Sequence, residues 1–324
     1  MTQTTGFGPP PPFDPACQAY LDATPPLPAF TPEVIALARQ RPTLTDAELS
    51  AGGTYEISRA TAPGLDGHPD VPLVVARPAH ATEKPLPVLY AIHGGGMILG
   101  HVNEGIALGQ AVLPEGLDAV IVSVDYRLAP ENPHPAPVMD CVAGAVWCLD
   151  RDAELGTDPS RVVLVGASAG GGLGAAAALY LRDHELGRLR GQLLLFPMLD
   201  DRNNSLSTRQ LAHVGIWRQD ANAFGWNALL GPASGTDDVS CYAAPARAKD
   251  LSSLPPAFLD VGSNETFRDE VVEYASALWR DGGTAELHVW PGGFHGHSAF
   301  VPDSVLALTE WAARKNWLAR LLAP

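Results

Sequence analysis

Cysteine is scarce in this chain of 324 residues. Cys17, Cys141, Cys148 and Cys241 are the whole set, with no C-x-x-C pair and no Cys/His ligand spacing. Cys141 and Cys148 stand seven apart on an expected helix, sharing a face but too far apart to bridge. Free thiols and no metal are therefore expected. Basic residues are also few. Lys and Arg total 21 against 36 Asp and Glu, a formal charge of −15, which would repel phosphate backbones. That excludes a nucleic-acid partner and favours solubility. Charged residues make up only 18% of the chain, too few for a halophile's acidic coat. No apolar run reaches the ~18 residues of a membrane span. Met1 to Pro12 offers neither a basic n-region nor an apolar h-region. The expectation is a cytoplasmic protein without a membrane span. No internal repeat is evident.

Apolar residues are plentiful, at 46% of the chain, and a chain of this length can bury a large core as one elaborated domain. After a proline-rich lead at 8–15, expected to be loose, Thr31-Pro32-Glu33 marks a helix start with proline at its first position. Two early strands, 54–57 and 71–76, are joined by the turn Gly64-Leu65-Asp66-Gly67. Short apolar runs at 87–92, 119–124, 161–165, 191–196, 256–261 and 285–290 then alternate with helical stretches. That alternation predicts an α/β fold: a mostly parallel central sheet with helices on both faces.

Two glycine-rich turns each follow one of these runs. Gly166-Ala167-Ser168-Ala169-Gly170 comes after 161–165, and His93-Gly94-Gly95-Gly96 after 87–92, about seventy residues upstream. A serine hydroxyl needs an accessible position and a neighbouring base to become nucleophilic. G-x-S-x-G puts it on a tight strand-to-helix turn, where the flanking residues must be small and the helix N-terminus adds positive potential. Gly94 and Gly95 lack Cβ atoms, so their N–H groups can face a developing oxyanion, with the Ala169 N–H as third donor. One such donor stabilises a transition state by about 3–4 kcal/mol. Each motif alone is also compatible with a plain structural turn; the pair points to acyl transfer. His93 is expected to orient the loop.

The acid and the base should follow in that order. Four carboxylates compete after the strand at 256–261: Asp260, Glu265, Asp269 and Glu270. Glu265 lies in the loop just past the strand end, where a triad acid belongs. Asp269 and Glu270 suit the first turn of a helix, and Asp260 suits a structural partner within the strand. Asp269 and Asp260 remain rivals for the acid. Beyond the last strand, Pro291-Gly292-Gly293-Phe294-His295-Gly296-His297 offers two histidines, and both qualify as base. His288 alternates with apolar neighbours and reads as a packed or surface residue.

In this order, H-G-G-G, Asp125-Tyr126-Arg127-Leu128-Ala129-Pro130-Glu131, G-x-S-x-G, Phe267-Arg268-Asp269-Glu270 and a late H-G, the chain resembles the bacterial hormone-sensitive-lipase-like esterases. These are α/β-hydrolases with a helical cap. The resemblance implies Ser168 as nucleophile, Glu265 as acid, His295 as base, and Gly94, Gly95 and Ala169 as oxyanion donors. It implies no cofactor, an ester as small-molecule substrate with short to medium acyl chains, and a homodimer. The chain departs from the family pattern at three points. Ala167 stands where Asp or Thr is common, Glu265-Thr266 where Asp-Pro is common, and His297 where the late motif often has Phe. The last would put a polar ring beside the base. Asp125 and Glu131 are expected to be structural.

The organisation implied is cap helices over 1–50, core over 51–202, a cap insertion over 203–240 and the rest of the core over 241–324. Met97, Ile98 and Leu99, just past the oxyanion turn, and His213, Ile216 and Trp217 in the insertion are the candidate substrate-binding residues. Phe224 and Trp226 lie in the same insertion. An apolar wall there would select uncharged esters. Acyl transfer to an alcohol, or ligand binding without catalysis on the same fold, are the alternatives. Gly170-x-Gly172-x-x-Ala175 also resembles a relaxed dinucleotide fingerprint, but no acid ends the next strand; Asp183 and Glu185 fall in or just after a helix.

Overall fold

The computed structural model describes residues 8–25, 28–80 and 85–323. Eight strands form one sheet: β1 (Tyr55–Ala62), β2 (Val71–Pro78), β3 (Leu86–Ile92), β4 (Val120–Val124), β5 (Thr157–Ala167), β6 (Gly191–Leu195), β7 (Ala257–Gly262) and β8 (Ala285–Trp290). Their order across the sheet is β1-β2-β4-β3-β5-β6-β7-β8. β2 runs antiparallel to β1 and β4, and every pairing from β4 to β8 is parallel.

The helices among the described residues are α1 (Pro15–Ala23), α2 (Pro32–Ala38), α3 (Asp46–Leu49), α4 (Val102–Val112), α5 (Ala136–Asp150), α6 (Asp152–Leu155), α7 (Ala169–Asp183), α8 (Leu206–Gln210), α9 (Gln219–Leu230), α10 (Arg268–Arg280), α11 (His297–Phe300) and α12 (Val305–Leu322). None is long and apolar enough to cross a membrane. Thr31 caps α2 by accepting from the Val34 N–H at 3.2 Å, and Pro32 supplies its first residue.

Continuous apolar runs make the central strands because both faces of the sheet are covered there. Along β3, Val88, Tyr90 and Ile92 enter one core with residues of α5, α7 and α10. Leu89 and Ala91 enter a second core with α4 and α12, through Ile106, Trp317 and Leu318. Side chains alternate across a strand, so one run feeds both layers. α5 carries Cys141 and Cys148, both buried and free.

Two local expectations change. β1 runs on to Ala62, because its exposed face takes polar residues in the hairpin with β2. The proline-rich lead is not loose: Gln210 and Asn264 donate to the carbonyls of Gly8 and Pro11, Asp14 N–H donates to Gly292 O at 3.1 Å, and the Asp14 carboxylate caps α1. Residues 1–7 lie outside the described residues.

Candidate active site

Ser168 occupies the corner between β5 and α7 with φ 56° and ψ −120°. A non-glycine residue in that conformation costs roughly 1–3 kcal/mol and persists only where its surroundings impose it. Here they do. The Ser168 N–H donates to Leu195 O at 2.9 Å and its carbonyl accepts from Met198 N–H at 3.0 Å. A Cβ on Gly166 would strike the Gly170 backbone, and one on Gly170 would strike the carbonyls of Ile92 and His93. The two flanking glycines therefore let strand, helix and oxyanion turn approach one another.

Ser168 Oγ lies 2.9 Å from His295 Nε2, and His295 Nδ1 lies 2.7 Å from Glu265 Oε2. The other Glu265 oxygen accepts from the Gly262 N–H, which holds the carboxylate at the end of β7. All three side chains are buried. The other three carboxylates of this stretch are engaged elsewhere. Asp269 accepts from Ser207 N–H at 2.7 Å and from Arg268. Asp260 accepts from Arg314 at 2.7 Å and from the Trp290 indole. Glu270 accepts from the Leu199 N–H at 2.8 Å, and burial pushes its carboxyl well up. His288 sits on β8, stacked with Phe258 and Trp290 and bonded to Glu286.

Gly94 lies against the serine: a Cβ there would come within 3.4 Å of Ser168 Cβ. The Gly94, Gly95 and Ala169 N–H groups donate to no other group among the described residues. Their directions follow from peptide planarity, since pinning a carbonyl orients the next N–H. The Tyr126 hydroxyl lies 3.0 Å from His93 O and 3.2 Å from Gly94 O, and His93 Nδ1 lies 2.8 Å from Gly94 O. Those contacts aim the N–H groups of Gly94 and Gly95. His93 stacks on Tyr126 at 4.2 Å, and burial lowers its pKa to about 4, which leaves the ring neutral and donating from Nδ1.

A family model described as alpha/beta hydrolase fold matches residues 88–299. Carboxylesterase NlhH of Mycobacterium tuberculosis is 36% identical over 296 residues, 90% of either chain. Esterase LipI of the same organism is 33% identical over 231 residues, 68% of this chain and 69% of LipI. Among solved structures, a bacterial heroin esterase aligns with a TM-score of 0.86 at 35% identity, covering 96% of this chain and 98% of its own. The chain belongs to the hormone-sensitive-lipase-like α/β-hydrolases. As a member of that family it is a carboxylic ester hydrolase.

In this esterase aromatic rings surround the histidine. Phe196 and Phe267 meet His295 edge-on at 5.0 and 5.1 Å, and the Trp217 ring is 6.3 Å away. Trp217 also stands over the oxyanion turn, where a Cβ on Gly96 would collide with its ring. Thr266, beside Glu265, donates to the Trp217 carbonyl at 2.8 Å, so the loop that carries Glu265 and the 213–218 segment are joined. Phe30 from the N-terminal segment packs on Trp217 and Phe224. His213 and Ile216 instead line a groove of about 210 Å³ facing α1 residues Leu21 and Asp22. Met97 and Ile98 are buried within the core, and Leu99 packs partly exposed against it.

His297 does not stand as a free polar ring beside His295. It is buried, with Nδ1 3.2 Å from Phe294 O and Nε2 paired with Glu310 at 2.8 Å. Burial disfavours its charge, but the Glu310 carboxylate outweighs that and raises its pKa. Glu310 in turn pairs with Arg314, which also holds Asp260, all without solvent exposure. Two features of this neighbourhood were missed in the sequence. Phe196 had the signal of an aromatic at a strand's end. Glu310 and Arg314 had only i,i+4 spacing, which a surface helix shares. Among the described residues, no group of three or more His, Cys, Asp or Glu side chains could hold a metal ion.

Proposed function

We propose that the protein hydrolyses uncharged esters of short to medium acyl chains through an acyl-enzyme on Ser168, with His295 as base and Glu265 as acid. The carrying observation is the continuous contact from Ser168 Oγ to His295 Nε2 at 2.9 Å and from His295 Nδ1 to Glu265 Oε2 at 2.7 Å. His295 takes the serine proton as Oγ adds to the ester carbonyl. The oxyanion is met by the N–H groups of Gly94, Gly95 and Ala169. His295 then protonates the leaving alcohol, and the same ring activates the water that releases the acid. Glu265 keeps the proton on Nδ1, so that Nε2 is free to accept. The rings of Trp217, Phe196 and Phe267 around His295 support a confined apolar pocket, which favours short chains.

The test is hydrolysis of p-nitrophenyl esters from acetate to laurate, beside Ser168→Ala. Activity greatest on the shorter chains, lost by at least ~10⁴-fold in the variant, supports the reading. A folded Ser168→Ala protein losing less than tenfold would refute the nucleophile. Activity rising steadily to laurate would refute the confined pocket.

A further inference from the structure

One guanidinium bridges the N-terminal helical segment and the oxyanion turn. Arg39 stands at the C-terminal end of α2. Its Nε donates to Ile98 O at 2.9 Å, its Nη2 to Ala129 O at 2.7 Å, and its Nη1 pairs with Glu131 at 2.8 Å. The two carbonyls belong to the two segments that shape the oxyanion donors. Ile98 closes the turn that starts at Gly95, with Ile98 and Leu99 N–H donating to Gly95 O at 3.1 and 2.9 Å. Ala129 follows Tyr126, whose hydroxyl pins His93 O and Gly94 O. The segments are also tied directly, by Ala129 N–H to Met97 O at 2.9 Å. Arg39 thus grips both strands of one joint from outside. Nothing in the ester's chemistry touches it.

We propose that Arg39 is a positioning residue, coupling the seating of α2 over the site to the geometry of the Gly94 and Gly95 donors. The inference rests on the serine-esterase reading above. The planar fork meets two carbonyls and a carboxylate from three nitrogens in fixed positions, a spread that a lysine's single nitrogen does not reproduce. Without the fork, the 95–99 turn and the 126–131 loop keep their mutual bond and the Tyr126 contacts but lose the clamp from α2, and the donors relax. An oxyanion donor acts in the transition state, so its displacement lowers kcat and kcat/KM together and leaves KM alone. A helix that was merely fastened over the pocket would behave differently: loosening it would raise KM.

The experiment compares wild type, Arg39→Ala and Glu131→Gln on p-nitrophenyl acetate, with inhibition by an aryl trifluoromethyl ketone. Ser168 Oγ adds to that ketone's carbonyl, the serine proton passes to His295, and no group leaves; the adduct's oxyanion reports the donors directly. Arg39→Ala is expected to lose about 10–100-fold in kcat, with KM within about threefold and ketone affinity falling in parallel. Glu131→Gln, which keeps both carbonyl contacts, should stay within about threefold of wild type. Unchanged kcat and ketone affinity, or a loss confined to KM, overturns the proposal. So does a Glu131→Gln loss equal to that of Arg39→Ala. If Arg39→Ala does not fold, Arg39→Lys carries the same test with the same expected direction. Wild-type activity abolished by Ser168→Ala is the control: its absence would fault the esterase mechanism and not the role of Arg39.

Discussion

Replacing Glu265 by glutamine tests the acid at nearly constant shape. The carboxylate meets two donors, the Gly262 N–H on one oxygen and His295 Nδ1 at 2.7 Å on the other. An amide has one acceptor and one donor end, so it can satisfy only one of them. If its oxygen stays on Gly262, its NH₂ faces Nδ1. That nitrogen must then accept, and the ring proton moves to Nε2, which points at Ser168 Oγ from 2.9 Å. His295 in that tautomer is no base, and the wrong tautomer in a serine triad costs about 10⁴ in kcat. If the amide turns over, its NH₂ opposes the Gly262 N–H in a buried site, leaving a donor unsatisfied at about 1–3 kcal/mol. The competent orientation is then a minority, and the imidazolium that forms has lost its charged partner as well. The expected loss is about 10³–10⁴ in kcat. Asp269→Asn, which touches Ser207 and Arg268 and not the histidine, should stay within about threefold. The assay is initial-rate hydrolysis of p-nitrophenyl acetate, with circular dichroism to confirm folding. A loss under tenfold for Glu265→Gln, or a larger one for Asp269→Asn, would refute the assignment.

His93 makes stability depend on pH. Its pKa falls from 6.5 to about 4 on burial, so the unfolded chain binds the extra proton first as pH drops. Stability from this group is complete above pH 6.5 and is lost down to about pH 4, by about 3 kcal/mol in all. Urea unfolding across that range should show the slope in wild type and a shallower one in His93→Asn; equal slopes would refute it. His297→Phe alone should destabilise by roughly 3–5 kcal/mol, because it leaves Glu310 buried with a single cation. Adding Glu310→Gln should recover part of that loss, and a double variant less stable than the single one would refute the pairing.

Much of the fold was legible because the strands between β3 and β7 are buried on both faces. Burial on both faces demands unbroken apolar runs, and 87–92 or 191–196 read as strands without any knowledge of their neighbours. The boundaries were less clear where one face is exposed. β1 extends through Ser58 and Arg59 because polar side chains serve its outer face. β5 begins at Thr157, four residues before its apolar run, because Thr157 pairs with Leu86 at the foot of β3. The turns around Ser168 and Gly94 were legible for a different reason. Backbones meet there so closely that only glycine fits, and that steric demand writes itself into the local sequence. The carboxylate that meets His295 lacked any such demand. Asp260, Glu265, Asp269 and Glu270 fall within eleven residues, and only the third dimension shows which one faces His295.

The buried ions beneath the site show why such features escape a linear reading. Asp260 comes from β7, His297 from α11, and Glu310 and Arg314 from α12. Each alone suggests a surface residue or a rival catalyst. Together they set two acidic against two basic side chains, and that pairing is what makes their burial tolerable: an unmatched charge there would cost several kcal/mol. The histidine in place of the family's phenylalanine therefore belongs with Glu310, thirteen residues away, and its meaning lies in that pair. Arg314 also lies 5.5 Å from the Phe196 ring, whose edge meets His295. The paired side chains thus reach His295 through an aromatic spacer. In the mechanism proposed above, His295 gains and loses a proton at every turnover, while Asp260, Glu310 and Arg314 hold one another in place. Phe196 between them keeps the two roles apart.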